Sequence, residues 1–558
     1  MNIPQPWRTS YPEGMPVEID LNAYSSLNDL LGQACKKHAD RVACIALGVP
    51  MTFRELDSNA RAFAAWLQSL NLSEGSRVAL MMPNVPAYLV ALLGVLKSGM
   101  VLVNINPMFT PRELQGQLQD SGAQVIVVLE NFAHTLEQVQ GCDALLHRVV
   151  VSPGDMLGRF KRPLVNWVVR HVKKMVPRWR LPDARHWRDV LRLGQGLDWR
   201  QPAIDSNSLA ALQYTGGTTG VPKAAMLTHG NLVANVLQIE AIAWPALHTV
   251  KGKPLNMLTA LPLYHVFAMT VCGLYGIYAG MTNLLVMNPR DRPDLIKIWR
   301  RHSVHIFPGV NTLFKVLLQE PSFHQLDFSS LRLAFGGGMA LQSAVAKQWF
   351  ELTGHPLIEG YGLSEASPVV TANPTNATTF SGSIGLPLPE TEVLIVREDG
   401  QSVAFKEHGQ IAVRGPQVMR GYWNATKEMS AALREDGFFL TGDVGWMDER
   451  GYIFLVDRLK DIVIVSGFNV YPSEVEAVVA NHPAVLECAV IGVPDENTGE
   501  ALQLFVVPKD DSLTQDQLKD WCARNLARYK CPRSIVFRPE LPKSTIGKVL
   551  RRALKTIE

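Results

Sequence analysis

Short apolar runs alternate with stretches whose apolar positions recur at helical spacing. RVALMMP (77–83) reads as a strand, 85–97 as a helix, and VLVNIN (101–106) as a strand. PRELQGQLQDSG (111–122) then reads as a helix, followed by the strand QVIVVL (124–129). This alternation predicts α/β layers around a largely parallel sheet. LAALQ (209–213) predicts one more short buried strand. Residues 266–287 carry no charge over a length that could span a bilayer, yet include Gly273, Gly276, Gly280, Thr282 and Asn283. The pattern there predicts a buried helix, a turn near Gly280 and a strand over 283–287.

The texture changes beyond about residue 380. ETEVLIVREDG, QIAVRG and GYIFLVDR are short strands between Gly-rich turns, which predict a small β-rich subdomain. The polar stretch DRLKD (457–461) follows. Then come a helix (SEVEAVVANH), strands (CAVIGVP, LQLFVVP), a helix (TQDQLKDWCARNL) and a basic end. These predict a small α+β domain joined through DRLKD. No repeat at a solenoid period is evident.

A chain of 558 residues is too long for one core, so two or more domains are expected. The net charge of +3 is too small to imply a nucleic-acid binder. The seven cysteines are scattered and form no C-x-x-C, so neither a disulfide framework nor a zinc site is supported. MNIPQPWRTSYPEG has no apolar signal core. A reducing, cytoplasmic setting is the expectation. Residues 159–188 hold ten Lys/Arg, one Asp and the tryptophans 167, 179 and 187, with Leu164, Val168, Val172 and Met175 on one helical face. Such a segment suits the surface of an anionic membrane; a solvated basic face over a core helix is the other reading.

The densest chemistry lies in YTGGTTGVPKAAMLTH (214–229), where six of the seven positions 215–221 are Gly or Thr and Lys223 follows. Glycines leave backbone N–H groups unobstructed, hydroxyls add donors and the lysine adds charge, which suits a polyphosphate. It is not a P-loop, because Val221-Pro222 intervenes before the lysine and Ala224 stands where the magnesium-binding hydroxyl belongs.

Further blocks follow in order: LPLYHVFA (261–268), GGGM (336–339), EGYGLSEASP (359–368), FLTGDVGWMDERGY (439–452), DRLKDIVIVSGFNVYPSEVE (457–476) and PKSTIGKVLRR (542–552). Together they resemble the adenylate-forming superfamily. MTFREL, VNINPMFTPREL, GVNTLF, SGSIGLPLP and GPQVMRGYW are similar to its bacterial long-chain fatty-acid–CoA ligases. The resemblance implies an α/β fold. A large N-terminal domain (1–459) of layered α/β subdomains plus a small β subdomain would be followed by a small mobile α+β domain (460–558). It also implies ATP, Mg2+ and coenzyme A, with a fatty acid as substrate and a homodimer among the assemblies to expect.

The resemblance implies the following roles. Tyr214, Thr215, Gly216, Gly217, Thr218, Thr219, Gly220 and Lys223 wrap the phosphates. Glu365 binds Mg2+, and Ser364 donates to a phosphate oxygen. Gly336, Gly337 and Gly338 face Tyr361 and Gly362 across the adenine. Asp443 and Arg458 hold the ribose. Lys548 bridges carboxylate and α-phosphate. His265 orders the carboxylate or gates the acyl site, a satisfied core histidine being the plainer reading. Lys460 is the hinge, and Gly467 lines the pantetheine passage because a side chain would obstruct it.

Ala224, Gln410 and Leu440 depart from the commonest residues of the family, and Met269 falls where some relatives carry a gating tryptophan. The alternatives are a ligase for medium-chain, aryl or branched acids and a weakly catalytic, membrane-docked fatty-acid or acyl-AMP sensor. Loading of a carrier protein and luciferase chemistry are disfavoured by the chain's end.

Overall fold

A computed structural model of the chain describes residues 5–215, 223–250, 252–425, 430–510, 512–544 and 547–555. Four sheets organise it, among the described residues. The first runs Ala184–His186, His147–Val151, Val125–Leu129, Arg77–Met81, Val101–Asn104, Leu209–Thr215 and Lys223–Thr228. Its pairings are parallel except the last, in which Lys223–Thr228 returns antiparallel to Leu209–Thr215. The second sheet is nine-stranded, with Asn256–Thr259, Ile306–Gly309, Leu333–Gly336 and Leu357–Gly362 in its parallel body.

Strands such as VIVVL are buried throughout because helices cover both faces of a parallel sheet. The helix Pro86–Ser98 is buried on every side and touches strands of both large sheets. An all-round apolar helix is the form that a core between two layers requires. Residues 266–287 resolve as expected into buried helical turns (Val266–Ala268, Met269–Leu274, Tyr275–Tyr278) and the strand Thr282–Leu285. Among the described residues, no helix is long and apolar enough to cross a membrane.

The third sheet joins Glu392–Val396, Gly409–Arg414, Phe439–Met447 and Ile453–Arg458, all antiparallel. A short 3-10 turn, Leu459–Asp461, leads from it into the fourth sheet, whose centre is a long hairpin of Val485–Asp495 and Gly499–Pro508. A separate apolar cluster (Val463, Val475, Leu504, Leu518 and others) gives this last part its own core.

All seven cysteines are free thiols, buried or half-buried. Desolvation raises each: Cys35, Cys44 and Cys272 to about 12, Cys522 to about 11, and Cys142, Cys488 and Cys531 in the same direction.

The basic segment takes an unexpected form. The helix Gly158–Trp167 has no buried residue and passes into a wide π turn, Val168–Val172. Phe160 (79%), Leu164 (60%), Trp167 (56%), Val172 (59%) and Met175 (52%) are exposed. Trp187, by contrast, is fully buried and Trp179 half-buried, so of the three tryptophans only Trp167 faces solvent. The segment is nevertheless anchored. Arg170 pairs with buried Glu130 at 2.5 Å, Asn166 accepts from the Gly154 N–H at 2.7 Å, and Asn131 donates to the Met175 carbonyl at 3.1 Å.

Candidate active site

The antiparallel return of Lys223–Thr228 places Lys223 opposite Thr215, so both ends of the Gly/Thr loop are fixed by one sheet edge. Gly216, Gly217, Thr218, Thr219 and Gly220 lie outside the described residues. The Thr215 hydroxyl donates to the Lys223 carbonyl at 3.4 Å. The Tyr214 hydroxyl is committed to Asp120, so this ring anchors the loop's first residue from below. Ala224 is buried in the apolar cluster under that edge, with its carbonyl accepting from the Trp423 N–H at 2.8 Å. The extra methyl therefore fills core space.

Lys223 Nζ stands 5.4 Å from the centre of the Tyr422 ring. The Tyr422 hydroxyl in turn donates to Glu365 Oε1 at 2.7 Å. Tyr422 thus brings the loop lysine and the acidic residue to one place. The sequence signal for it is the GYW of GPQVMRGYW. Glu365 and Ser364 sit in the short turn Ser364–Ala366, directly after the strand carrying Tyr361 and Gly362. Desolvation, its largest influence, raises the Glu365 carboxyl above its ordinary value, opposed by the Tyr422 hydroxyl.

The second grouping is built by strand register. Asp443 and Arg458 are direct partners across Phe439–Met447 and Ile453–Arg458. Arg458 Nε lies 3.1 Å from Asp443 Oδ1, and the Tyr361 hydroxyl donates to Asp443 Oδ2 at 2.6 Å. Tyr361 follows Glu359 on the same strand. Glu359 is buried, accepts from the Leu341 N–H at 2.9 Å and is pushed up to about 7 by desolvation. Sequence reasoning passed over Glu359, although it opens EGYG. Gly336 ends its strand, and Gly337 approaches so closely that an added Cβ would lie 3.3 Å from Phe267 and 3.4 Å from the Gly360 carbonyl. Gly338 has φ +77°.

His265 caps the turn Val266–Ala268, its Nδ1 accepting from the Phe267 N–H at 3.3 Å. The proton of the neutral ring is therefore on Nε2, and desolvation pushes the pKa down to about 4. Its loop is clamped from beneath. Asn84 donates to the Thr259 and Leu261 carbonyls and accepts from the Leu263 N–H, while the Tyr88 hydroxyl lies 2.7 Å from the Leu263 carbonyl. Met269 is fully buried, and its sulfur accepts from Asn104 at 3.2 Å.

The last part of the chain reaches the same place. Lys548 sits in a tight turn in which the Ser544 N–H donates to the Lys548 carbonyl at 2.7 Å and the Lys548 N–H donates to Ser544 Oγ at 3.1 Å. Protein atoms crowd its ammonium, which desolvation and then Arg458 pull down to about 8, against Asp443. The side chain as a whole remains exposed, so water still reaches it. Gly547 (φ +81°) approaches Thr312 so closely that a Cβ would lie 2.4 Å from its hydroxyl. Lys315 also donates to the Leu486 carbonyl at 2.6 Å.

Lys460 occupies the Leu459–Asp461 turn, its ammonium shifted down first by desolvation and then by Arg458. Gly467 lies at a turn that protein atoms leave open on its side-chain face. An added Cβ there meets open space, and glycine is required by φ +83° in the two-residue turn it forms with Ser466 (φ +50°) between Val463–Val465 and Phe468–Val470. Gln410 pairs across to Val396 and Val444 on the neighbouring strands, and Leu440 packs beside a small cluster of Val396, Ala412 and Phe438.

Residues 31–423 match the AMP-binding enzyme family, and 474–548 match the AMP-binding enzyme C-terminal domain. A long-chain-fatty-acid–CoA ligase of Escherichia coli O157:H7 is 50% identical over 550 residues, covering 98% of this chain and 97% of that protein. One from Bacillus subtilis (strain 168) is 37% identical, covering 99% and 98%. Among solved structures, an anthranilate CoA ligase in complex with anthranoyl-AMP superimposes with a TM-score of 0.82 at 26% identity, covering 96% of this chain and 98% of that one. The chain belongs to the AMP-binding enzyme family, as an adenylate-forming, ATP-dependent fatty-acid–CoA ligase.

Proposed function

We propose that the two groupings and Lys548 form one site that ligates a long-chain fatty acid to coenzyme A in two half-reactions. In the first, a fatty-acid oxygen bonds to the α-phosphorus of ATP and pyrophosphate leaves. In the second, the CoA thiol attacks the acyl carbonyl and AMP leaves. The observation that carries the reading is the arrival of Lys548, from the final domain, within the electrostatic reach of Asp443 and Arg458.

The first step brings an anion to a polyanion, so fixed positive charge is what it needs. Lys223 meets the outer phosphates and steadies pyrophosphate as it leaves. Lys548 meets the carboxylate and the α-phosphate. Asp443 accepts from the ribose hydroxyls, with Arg458 and Tyr361 holding its orientation. Gly336–Gly338 and Tyr361 with Gly362 receive the adenine. Glu365, a hard oxygen donor beside a hydroxyl, fits Mg2+, and Ser364 stands next to it. An ion of this kind binds through one or two carboxylates together with substrate phosphates. When bound, Mg2+ neutralises phosphate charge. Neutral His265 at the acyl mouth offers Nε2–H to the substrate carboxylate.

In this reading the units divide at 459/460, with Lys460 as hinge and the Gly467 turn turned toward CoA for the second step. Met269, flexible and unbranched, suits long chains. A series of saturated acids with ATP and CoA checks this. We expect turnover to rise from decanoate to palmitate, and activity confined to decanoate and below would replace the long-chain reading with the medium-chain one. Sedimentation velocity distinguishes monomer from homodimer.

The exposed apolar side chains of Phe160, Leu164, Trp167, Val172 and Met175, interspersed with Lys and Arg, support a peripheral dock on an anionic membrane at the cytoplasmic face. Each inserted side chain contributes about 1.5–3 kcal/mol. Replacing Leu164 and Trp167 together by Glu is expected to lower binding to phosphatidylglycerol vesicles by roughly 100-fold or more. Unchanged co-sedimentation with the vesicles would count against the dock.

A further inference from the structure

Arg551 has more charged partners than any role assigned so far explains. Its Nη1 lies 3.1 Å from Asp457 Oδ1 and 3.2 Å from Asp461 Oδ2, and its Nη2 lies 2.8 Å from Glu476 Oε2 and 3.2 Å from Ser473 Oγ. Its Nε reaches Glu476 Oε1 at 3.2 Å. The guanidinium is largely buried, and the Asp457 side chain is 2% exposed.

These partners fall on two sides of the Leu459–Asp461 turn. Asp457 belongs to Ile453–Arg458 in the third sheet. Glu476 and Ser473 belong to the helix Pro472–Ala480, packed on the fourth. Glu476 also accepts from the Val490 N–H at 2.8 Å, so Arg551–Glu476 is internal to the final domain. Asp457 is the acceptor that lies outside it. Its carboxylate also takes the Arg458 N–H at 2.8 Å and the Ser473 N–H at 2.7 Å. Arg458 is the residue on Asp443.

Two other close approaches across the same boundary, Gly547 on Thr312 and Lys315 on the Leu486 carbonyl, are not ion pairs. Arg551 follows Lys548 by three residues, beyond a turn pinned by Ser544. A rigid, bidentate-capable guanidinium held at this point fixes where that turn sits.

We propose that Asp457 and Arg551 form a latch across the 459–461 turn that holds Lys548 at Asp443 and Arg458, making both of them positioning residues for the first half-reaction. The proposal rests on the adenylation role given above to Lys548. The latch ties Lys548 to the same strand that carries the ribose-holding arginine, so its geometry matters only while the lysine is in use. The second half-reaction uses neither.

The test is purified full-length Asp457→Asn and Arg551→Lys, beside Lys548→Ala. Each is assayed separately for palmitate-dependent pyrophosphate release and for thioester formation from supplied palmitoyl-adenylate and CoA. Asp457→Asn keeps the side chain's shape and leaves Arg551 with Glu476 and Asp461, so the final domain retains its own ion cluster. We expect the maximal rate of pyrophosphate release to fall on the order of 10- to 100-fold, as for a displaced reacting group. The KM values for ATP and palmitate should change little and thioester formation should be spared. Should Arg551→Lys fail to fold, Asp457→Asn decides alone. Equal losses in both half-reactions, or no loss in Asp457→Asn while Lys548→Ala is inactive, overturn the latch. Pyrophosphate release that survives Lys548→Ala overturns the underlying role of the lysine instead.

Discussion

Lys548→Ala lowers fatty-acid-dependent pyrophosphate release by on the order of 10³-fold, while thioester formation from supplied acyl-adenylate largely survives. In the role proposed for it, the side chain supplies charge where two anions meet, and only in the first step. Its surroundings add a pH signature. Desolvation and the neighbouring Arg458 bring the free-enzyme ammonium down to about 8. The charged form is the working one, so kcat/KM for ATP in the pyrophosphate assay should decline as pH rises through about 8. Bound ATP, a polyanion, raises the lysine's proton affinity, so kcat should hold to higher pH. In Lys548→Arg the decline should vanish from the accessible range, because a guanidinium does not deprotonate there. Equal loss of both half-reactions in Lys548→Ala would remove the lysine from adenylation.

Glu365→Gln should cost on the order of 10²- to 10³-fold in overall turnover, with a raised Mg2+ requirement. The substitution is nearly isosteric, and the new amide oxygen can still accept from the Tyr422 hydroxyl that now lies 2.7 Å from Oε1. Packing is therefore preserved and the negative charge is what disappears. Desolvation already disfavours that charge, which makes a bound cation the natural compensation. A wild-type rate at unchanged Mg2+ dependence would show that Glu365 is a structural acid of the turn.

The elements were legible where a local rule governs them. Strands buried on both faces read as unbroken apolar runs, and Thr110 with Glu113 closes a capping box at the start of Pro111–Ser121. Phe439–Met447 was harder to recognise as a strand, because its Thr441-Gly442-Asp443 core carries a chemical motif in place of alternation. The hairpin 485–508 also runs longer than CAVIGVP and LQLFVVP suggest, since pairing extends through Pro494 to Gly499.

The site was legible as motifs and illegible as contacts. Asp443 opposite Arg458 is a matter of register between strands joined by a long turn. Tyr422 reaching Glu365, and Arg551 reaching Asp457, depend on segments far apart in the chain. A sequence states which groups are present. Only folding brings Lys223 and Glu365 to the two sides of one tyrosine.

The state of the thiols has a practical consequence. Four of the native thiols, Cys35, Cys44, Cys272 and Cys522, are buried, while Cys142, Cys488 and Cys531 are half-buried. Burial shields the first four from maleimide, so a clean labelling background needs only Cys142, Cys488 and Cys531 replaced. A reporter thiol introduced at Lys519, exposed on the final domain, would take a fluorophore at one place, and motion about the 459–461 turn could be followed by its distance to a donor on the larger domain.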